Sequence, residues 1–151
     1  MPEQPTADTP RPEGTLLAFD FGRRRIGVAV GQTLTATASA LAVVKVADGP
    51  DWQEITRILD CWKPAAVVVG LPLAADGGET PLSRDARQFA RQLEKRYQLQ
   101  VYFEDERLTS FAAEQRFVTA RSQGSMRRKD SAQKDALAAQ IILENWLQSA
   151  H

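Results

Sequence analysis

Residues Ala65–Leu71 read AAVVVGL, a stretch of strand length with no polar side chain at any position. A strand with one wet face alternates apolar and polar residues, so a run that is apolar throughout must be covered on both sides. No other stretch constrains the fold as much. It predicts a central sheet strand between two helical layers, which places the chain in the α/β class.

The segments around it fit that arrangement. Leu16–Phe19 and Ile26–Val30 are two short apolar strands joined by Gly22 and three successive arginines, Arg23, Arg24 and Arg25. A glycine able to take positive φ and a polar turn between two β-forming runs predict a hairpin. Ser39–Val46 supplies a third extended segment, and Asp48-Gly49-Pro50 a turn. Asp51 can cap a helix, with Glu54 at the capping-box spacing and Ile55, Ile58, Leu59 and Trp62 on one face, until Pro64 ends it. Thr80 and Pro81 open a helix carrying Leu82, Ala86, Phe89, Leu93 and Tyr97 at helical spacing. Its other side carries Arg84, Arg87, Arg91 and Lys95. Val101–Phe103 is a short strand, followed by helices predicted over about 109–120 and 131–147, the last capped by Asp130. The expected architecture is a mixed five-stranded sheet: an antiparallel three-strand meander, two further parallel strands, and helices on both faces. Residues 1–14, with Pro2, Pro5, Pro10 and Pro12, read as a loose tail, and 15–151 as one domain. The chain has no apolar run of membrane-spanning length and no signal-peptide pattern, so a cytoplasmic location is expected.

Composition narrows the chemistry. The chain has one cysteine, Cys61, and one histidine, His151. A zinc site, a Ser–His–Asp triad and a Cys–His pair all lack their parts. If the protein is an enzyme, carboxylates carry the chemistry, and carboxylates suit hard cations such as magnesium or manganese. Three acidic positions can reach one end of the sheet. Asp20 ends the first strand, where an apolar run should be entering a core. Glu106, with Asp105 beside it, ends the last strand. Asp135 lies at the edge of the final helix's apolar stripe Ala132, Ala136, Ala139, Leu143 and Trp146. Each has an ordinary reading as a turn residue, a solvated strand exit or a first-turn helix residue. Together, in a chain without usable His or Cys, they read as a metal-binding set able to clamp the attacking and leaving oxygens of a phosphodiester with two ions. Asp105 and Glu106 alternate in direction, so one of them faces such a site.

The basic residues suggest the substrate. Net charge is zero, but Arg23, Arg24, Arg25, Arg107, Arg127, Arg128 and Lys129 cluster in sequence near the acids. They could grip backbone phosphates, with a steep salt dependence, or form ordinary solvated faces. Gly22 and Gly27 have the spacing of a phosphate loop, but Val28-Ala29 stands where its Lys-Ser/Thr belongs, which excludes one. A sugar-kinase or actin-like nucleotide binder shares a similar strand–turn–strand, but needs two domains around its cleft. A non-catalytic RNA- or ribosome-binding module is a further alternative.

FDFGRRRIGVAVG, VVVGLPLAADGGETPLSRDARQFA, FEDERLTS and KDALAAQIILE, in this order, resemble the YqgF family, also called RuvX, of the ribonuclease H-like superfamily. The resemblance runs from about Leu16 to Trp146. It implies a ribonuclease H-like fold and a nuclease acting in maturation of the 5′ end of pre-16S ribosomal RNA or, alternatively, in resolution of Holliday junctions. It implies Asp20, Glu106 and Asp135 as the catalytic and metal-binding acids, with Asp105 a further candidate ligand and magnesium or manganese, as two ions, the cofactor. Between Asp130 and Asp135, alignment of the following IILE segment selects Asp135.

Overall fold

The computed structural model describes residues 12–106 and 131–149. In chain order its elements are β1 (Thr15–Phe21), β2 (Arg25–Gln32), β3 (Thr37–Ala47), β4 (Gly49–Pro50), α1 (Trp52–Trp62), β5 (Ala66–Leu71), α2 (Pro81–Tyr97), β6 (Val101–Asp105) and α3 (Ser131–Gln148). The strands lie in the order β4-β3-β2-β1-β5-β6. The first three form the antiparallel meander, and β5 and β6 join β1 in parallel. This is the expected five-stranded sheet, with two-residue β4 added where a simple turn was expected; Gly49, at φ 89°, folds Pro50 back against Val46. The expected helix over 109–120, the Asp130 cap and the side chain of Ala132 lie outside the described residues.

Strand alternation sorts the core into two layers. Leu17 and Phe19 of β1 and Val67 and Val69 of β5 pack with Ile55 and Leu59 of α1 and Phe89 and Leu93 of α2. Leu16, Ala18, Ala66 and Val68 face the other way, onto Ala139, Ile142, Leu143 and Trp146 of α3. Every residue of β5 is buried, as its unbroken apolar run requires. Trp62 departs from the expected core face: it closes α1 and is 37% exposed. Lys63 then turns left-handed at φ 45°, which carries the chain out of the helix before Pro64.

Capping follows the sequence at the starts of α1 and α2, with one change. The Glu54 N–H donates to Asp51 Oδ1 (3.2 Å), but the Glu54 carboxylate turns to Arg57 instead of completing the box. In α2 the box closes through Ser83: its N–H donates to Thr80 Oγ1 (2.9 Å), and the Thr80 N–H donates to Ser83 Oγ (2.8 Å). At the other end of the sheet Gly14, expected in the loose tail, is already tied down. Its N–H donates to Thr33 Oγ1 and its carbonyl accepts from the Thr33 N–H.

The approach of α3 to the sheet is set by β2. A side chain at Gly31 would collide with Leu143, and a Cβ on Gly27 would lie 1.9 Å from the backbone carbonyl oxygen of Asp135. Helix backbone therefore rests directly on strand backbone at Gly27, and no rotamer change can make room there. Gly27→Ala should force α3 away from β2 and cost about 2–3 kcal/mol or more of stability. Urea denaturation of the two proteins measures this; a loss below about 1 kcal/mol would be inconsistent with the close approach.

Candidate active site

Alternation also decides which acids meet. Leu16 and Ala18 face α3, so Asp20 does too, since β1 runs one residue past Asp20, its expected end, and pairs Asp20 with Gly27 and Phe21 with Ile26. Asp20 is thus inside the ladder instead of closing it. On β6, Val101 packs in the α1–α2 layer and Tyr102 in the α3 layer. The same alternation sends Asp105 to the former layer and Glu106 to the latter. The Glu106 N–H donates to the Leu71 carbonyl at 3.0 Å, which extends the strand pairing by one residue and fixes where its side chain leaves the sheet.

Glu106 is 6% exposed. Its carboxylate lies over Gly70 of β5, where a Cβ would come within 2.7 Å of Oε2 and 2.8 Å of Cγ. Gly70 therefore makes the seat for this acid, as Gly27 makes room for the backbone that carries Asp135. Neither glycine was singled out for this by sequence reasoning. The signal was glycine inside an apolar, β-forming strand, which marks close approach.

Burial and mutual charge set the electrostatics. Asp20 and Glu106 are close enough for one to hold a proton against the other. Burial, then the charge of Asp20, the hydrogen bond with it and the charge of Asp105, push Glu106 up to about 9. Burial pushes Asp20 up to about 6, opposed by the hydrogen bond from Glu106 and reinforced by the charge of Asp135. Two carboxylates in one water-poor corner share one proton. Glu106 Oε2 has no hydrogen-bond partner among the described residues.

Asp135 stands on the first turns of α3, beside Gly27 and hence beside Asp20. Its Oδ2 lies 2.7 Å from Arg25 Nε. That oxygen is shielded from solvent yet receives no well-aligned hydrogen bond, so the contact is one of charges. The three arginines of the turn diverge. Arg23 donates from Nε and Nη2 to Asp85 Oδ2 on α2 (3.2 and 3.1 Å). Arg24 is exposed and makes no side-chain hydrogen bond or ion pair among the described residues. Arg25 goes to Asp135. Between them is an open groove of about 350 Å³ lined by Gly22, Arg23, Arg24, Arg25 and Asp135. Gly22 does not adopt positive φ; it is needed because a Cβ there would sit 2.6 Å from the Arg25 carbonyl. On the basic side of α2, Arg87 is bound to Glu79 and lies over the Phe103 ring. Arg107, Arg127, Arg128 and Lys129 lie outside the described residues.

The donor set suits a hard divalent cation: all its ligands are carboxylate oxygens, and the orphaned Glu106 Oε2 is an acceptor that a cation would satisfy. The set is not preassembled. Among the described residues no group of three His, Cys, Asp or Glu side chains is placed to hold an ion. Asp20 and Glu106 face each other, while Asp135 is engaged with Arg25.

A family model described as "RuvX: Holliday junction resolvase" matches residues 14–149. A protein of Xanthomonas axonopodis pv. citri (strain 306) named "Putative pre-16S rRNA nuclease" is 49% identical over 144 residues, covering 95% of this chain and 93% of the relative. A protein of the same name from Xanthomonas oryzae pv. oryzae (strain PXO99A) matches with the same identity and coverage. Among solved structures, T. thermophilus RuvC in complex with Holliday junction substrate superposes with a TM-score of 0.54 at 21% identity, over 88% of this chain and 93% of that one. The yeast mitochondrial Holliday junction resolvase gives 0.50 at 12% identity, over 93% and 80%. These two likenesses establish the ribonuclease H-like fold.

The carboxylate pair makes the metal-free fold pH-sensitive. Both acids titrate above their ordinary values of 3.8 and 4.5. Their contribution to stability is therefore complete below about pH 4 and is lost as pH rises through about 6 for Asp20 and about 9 for Glu106. Glu106→Gln cannot ionise, so in chelator it should be more stable than the wild type at pH 8, by roughly a few kcal/mol and several degrees in Tm, with the gain vanishing near pH 4.5. Thermal unfolding at both pH values checks this; a pH-independent difference would contradict the buried pair.

Proposed function

The chain belongs to the RuvX family, and from that premise we propose that it is a metal-dependent nuclease that hydrolyses phosphodiester bonds in processing the 5′ end of pre-16S ribosomal RNA. The observation that carries the chemistry is the Asp20–Glu106 pair: a half-buried and a buried carboxylate that reach each other from β1 and the end of β6, on either side of β5, with an oxygen left unpartnered. A structural ion pair would supply a cation there, and here no side-chain cation fills that place among the described residues. The choice of RNA rests on the 49% identity to relatives named for pre-16S rRNA over nearly the whole of both chains.

Asp20, Glu106 and Asp135 would hold magnesium or manganese, as two ions, with Asp105 directed to the opposite side of the sheet. Bound ions of this kind supply positive charge for activating a water and for stabilising the departing oxygen. The chain's own contribution is threefold. Asp20 and Glu106 must give up their shared proton before both can ligate, so activity rises with pH through the neutral range. Arg24, uncommitted on the groove rim, holds a backbone phosphate, and Arg23, pinned to Asp85, keeps the turn in place. The shallow groove admits a sugar–phosphate backbone without enclosing bases, so these contacts position the strand without reading its sequence. Arg107, Arg127, Arg128 and Lys129, which lie outside the described residues, are further candidate phosphate contacts in this reading. The substrate places the activity in the cytoplasm, in association with assembling ribosomes. Among the described residues no helix is long and apolar enough to cross a membrane.

A second reading, resolution of four-way DNA junctions, is favoured by the description of the family model itself. One experiment separates the readings. The protein is incubated with 5′-extended pre-16S RNA, unrelated single-stranded RNA and a four-way DNA junction, with magnesium or manganese and then with chelator. The expected result is metal-dependent cleavage of the pre-16S RNA, reduced on the order of 100-fold or more by Asp20→Asn. Preferential, symmetric incision of the junction would favour the second reading. Tight binding without cleavage would favour a non-catalytic module. Arg24→Ala should leave cleavage chemistry intact but weaken RNA binding and lower the slope of log Kd against log salt by about 1.

A further inference from the structure

Arg25 stands apart from its two neighbours. It occupies the first position of β2, on the face that continues through Gly27, Ala29 and Gly31 toward α3. Its Nε meets Asp135 Oδ2 at 2.7 Å, with 44% of the Arg25 side chain and 31% of the Asp135 side chain still exposed. Exposed pairs of this kind contribute about 0–1 kcal/mol, and this one lacks an aligned hydrogen bond. It is not needed to anchor α3, because the helix is already seated by the backbone contact at Gly27 and by Ala139, Ile142 and Leu143 in the core. The pair does have one consequence for the site. It occupies the carboxylate that would complete a three-acid set, and that set is not assembled.

We propose that Arg25 is a positioning residue that holds Asp135 out of the metal-binding set until nucleic acid arrives, and then exchanges Asp135 for a substrate phosphate. The proposal rests on the reading of Asp20, Glu106 and Asp135 as metal ligands. A planar guanidinium can grip a phosphate through two parallel hydrogen bonds, a better arrangement than its present unaligned contact. The groove beside it is open to solvent and already bordered by Arg24, so a backbone phosphate can reach both arginines. Release of Asp135 then completes the acidic set only where substrate is present. By linkage, nucleic acid tightens metal binding and metal tightens nucleic-acid binding, by equal factors.

The test uses the full chain, with Mn2+ binding followed by electron paramagnetic resonance and a 2′-O-methyl oligoribonucleotide as the nucleic-acid probe. Without oligonucleotide, Arg25→Gln should bind Mn2+ about fivefold more tightly than wild type, a gain that a merely structural role would not produce. Saturating oligonucleotide should tighten Mn2+ binding at least threefold in wild type and less than twofold in the variant. An Arg25→Gln protein that binds Mn2+ no better than wild type overturns the proposal. If that variant folds poorly, the wild-type comparison alone decides: no tightening by oligonucleotide overturns it. Asp20→Asn tests the underlying reading separately. If wild type shows no Asp20-dependent Mn2+ binding, the metal site itself falls, and the exchange with it; if that binding is present and Arg25→Gln leaves it unchanged, only the exchange falls.

Discussion

Two carboxyl groups are forced into one water-poor corner of the sheet, and the surrounding structure makes that confinement possible. Burial and mutual repulsion both oppose ionisation of Asp20 and Glu106. A flexible scaffold would relieve this by swinging one group into solvent. Here the escape is closed, because Asp20 is held within the β1–β2 ladder and Glu106 by its backbone bond to Leu71. Asp20 is further held by the four fully buried residues that precede it, Leu16–Phe19. The fold therefore stores an unfavourable charge arrangement at one end and offsets it with a two-layer apolar core at its middle. Such local cost with global compensation is characteristic of functional sites.

Two glycines turn this confinement into a usable geometry. Gly27 lets the backbone bearing Asp135 rest against the strand partner of Asp20, and Gly70 lets the Glu106 side chain lie across β5. Any side chain at either position would separate the acids by about the thickness of a methyl group or more. Strand interiors normally disfavour glycine, since it weakens β-structure and packs nothing. At these two positions the missing Cβ sets the distances between the acids, and the rigidity of the neighbouring β-branched residues compensates for its absence.

The fold was legible wherever the physics is local. The unbroken run of β5 announced burial on both faces, and the Thr80-Pro81 start of α2 carried its own cap. Alternation in β1 and β6 settled which acids share a face once the sheet order was known. What the sequence concealed depends on contacts between distant segments. A polar Asp20 made β1 look shorter than it is, because its partner Gly27 and the covering α3 are invisible in an apolar pattern. Trp62 has the spacing of a core residue, but the helix ends there and leaves it half in solvent. The consecutive arginines looked equivalent in sequence, and only tertiary structure distinguishes Arg23, tied 62 residues away to Asp85, from Arg25, tied to Asp135. The Asp20, Glu106 and Asp135 set was suggested by residue type and resemblance. The engagement of Asp135 with Arg25 was not foreseeable from either.

That difference among the arginines bears on how a shallow basic groove can serve a hydrolytic site. Three free guanidiniums next to three carboxylates would neutralise the acids and compete with any cation for them. Among the described residues, Arg23 is tethered to a distant helix, Arg24 faces solvent without an ion pair, and Arg25 is the arginine of the turn that meets an acid of the set. Among the described residues the competition falls on Asp135, on a partly exposed helix turn, and not on the buried Glu106 or the Asp20 beside it. Weak pairing in an exposed position is reversible at little cost, whereas a guanidinium locked against Glu106 would be removed only with the full penalty of a buried ion pair. The placement of Arg25 on the exposed acid therefore lets the site keep its carboxylates close without sealing them, and leaves a phosphate as the partner best able to draw the arginine away.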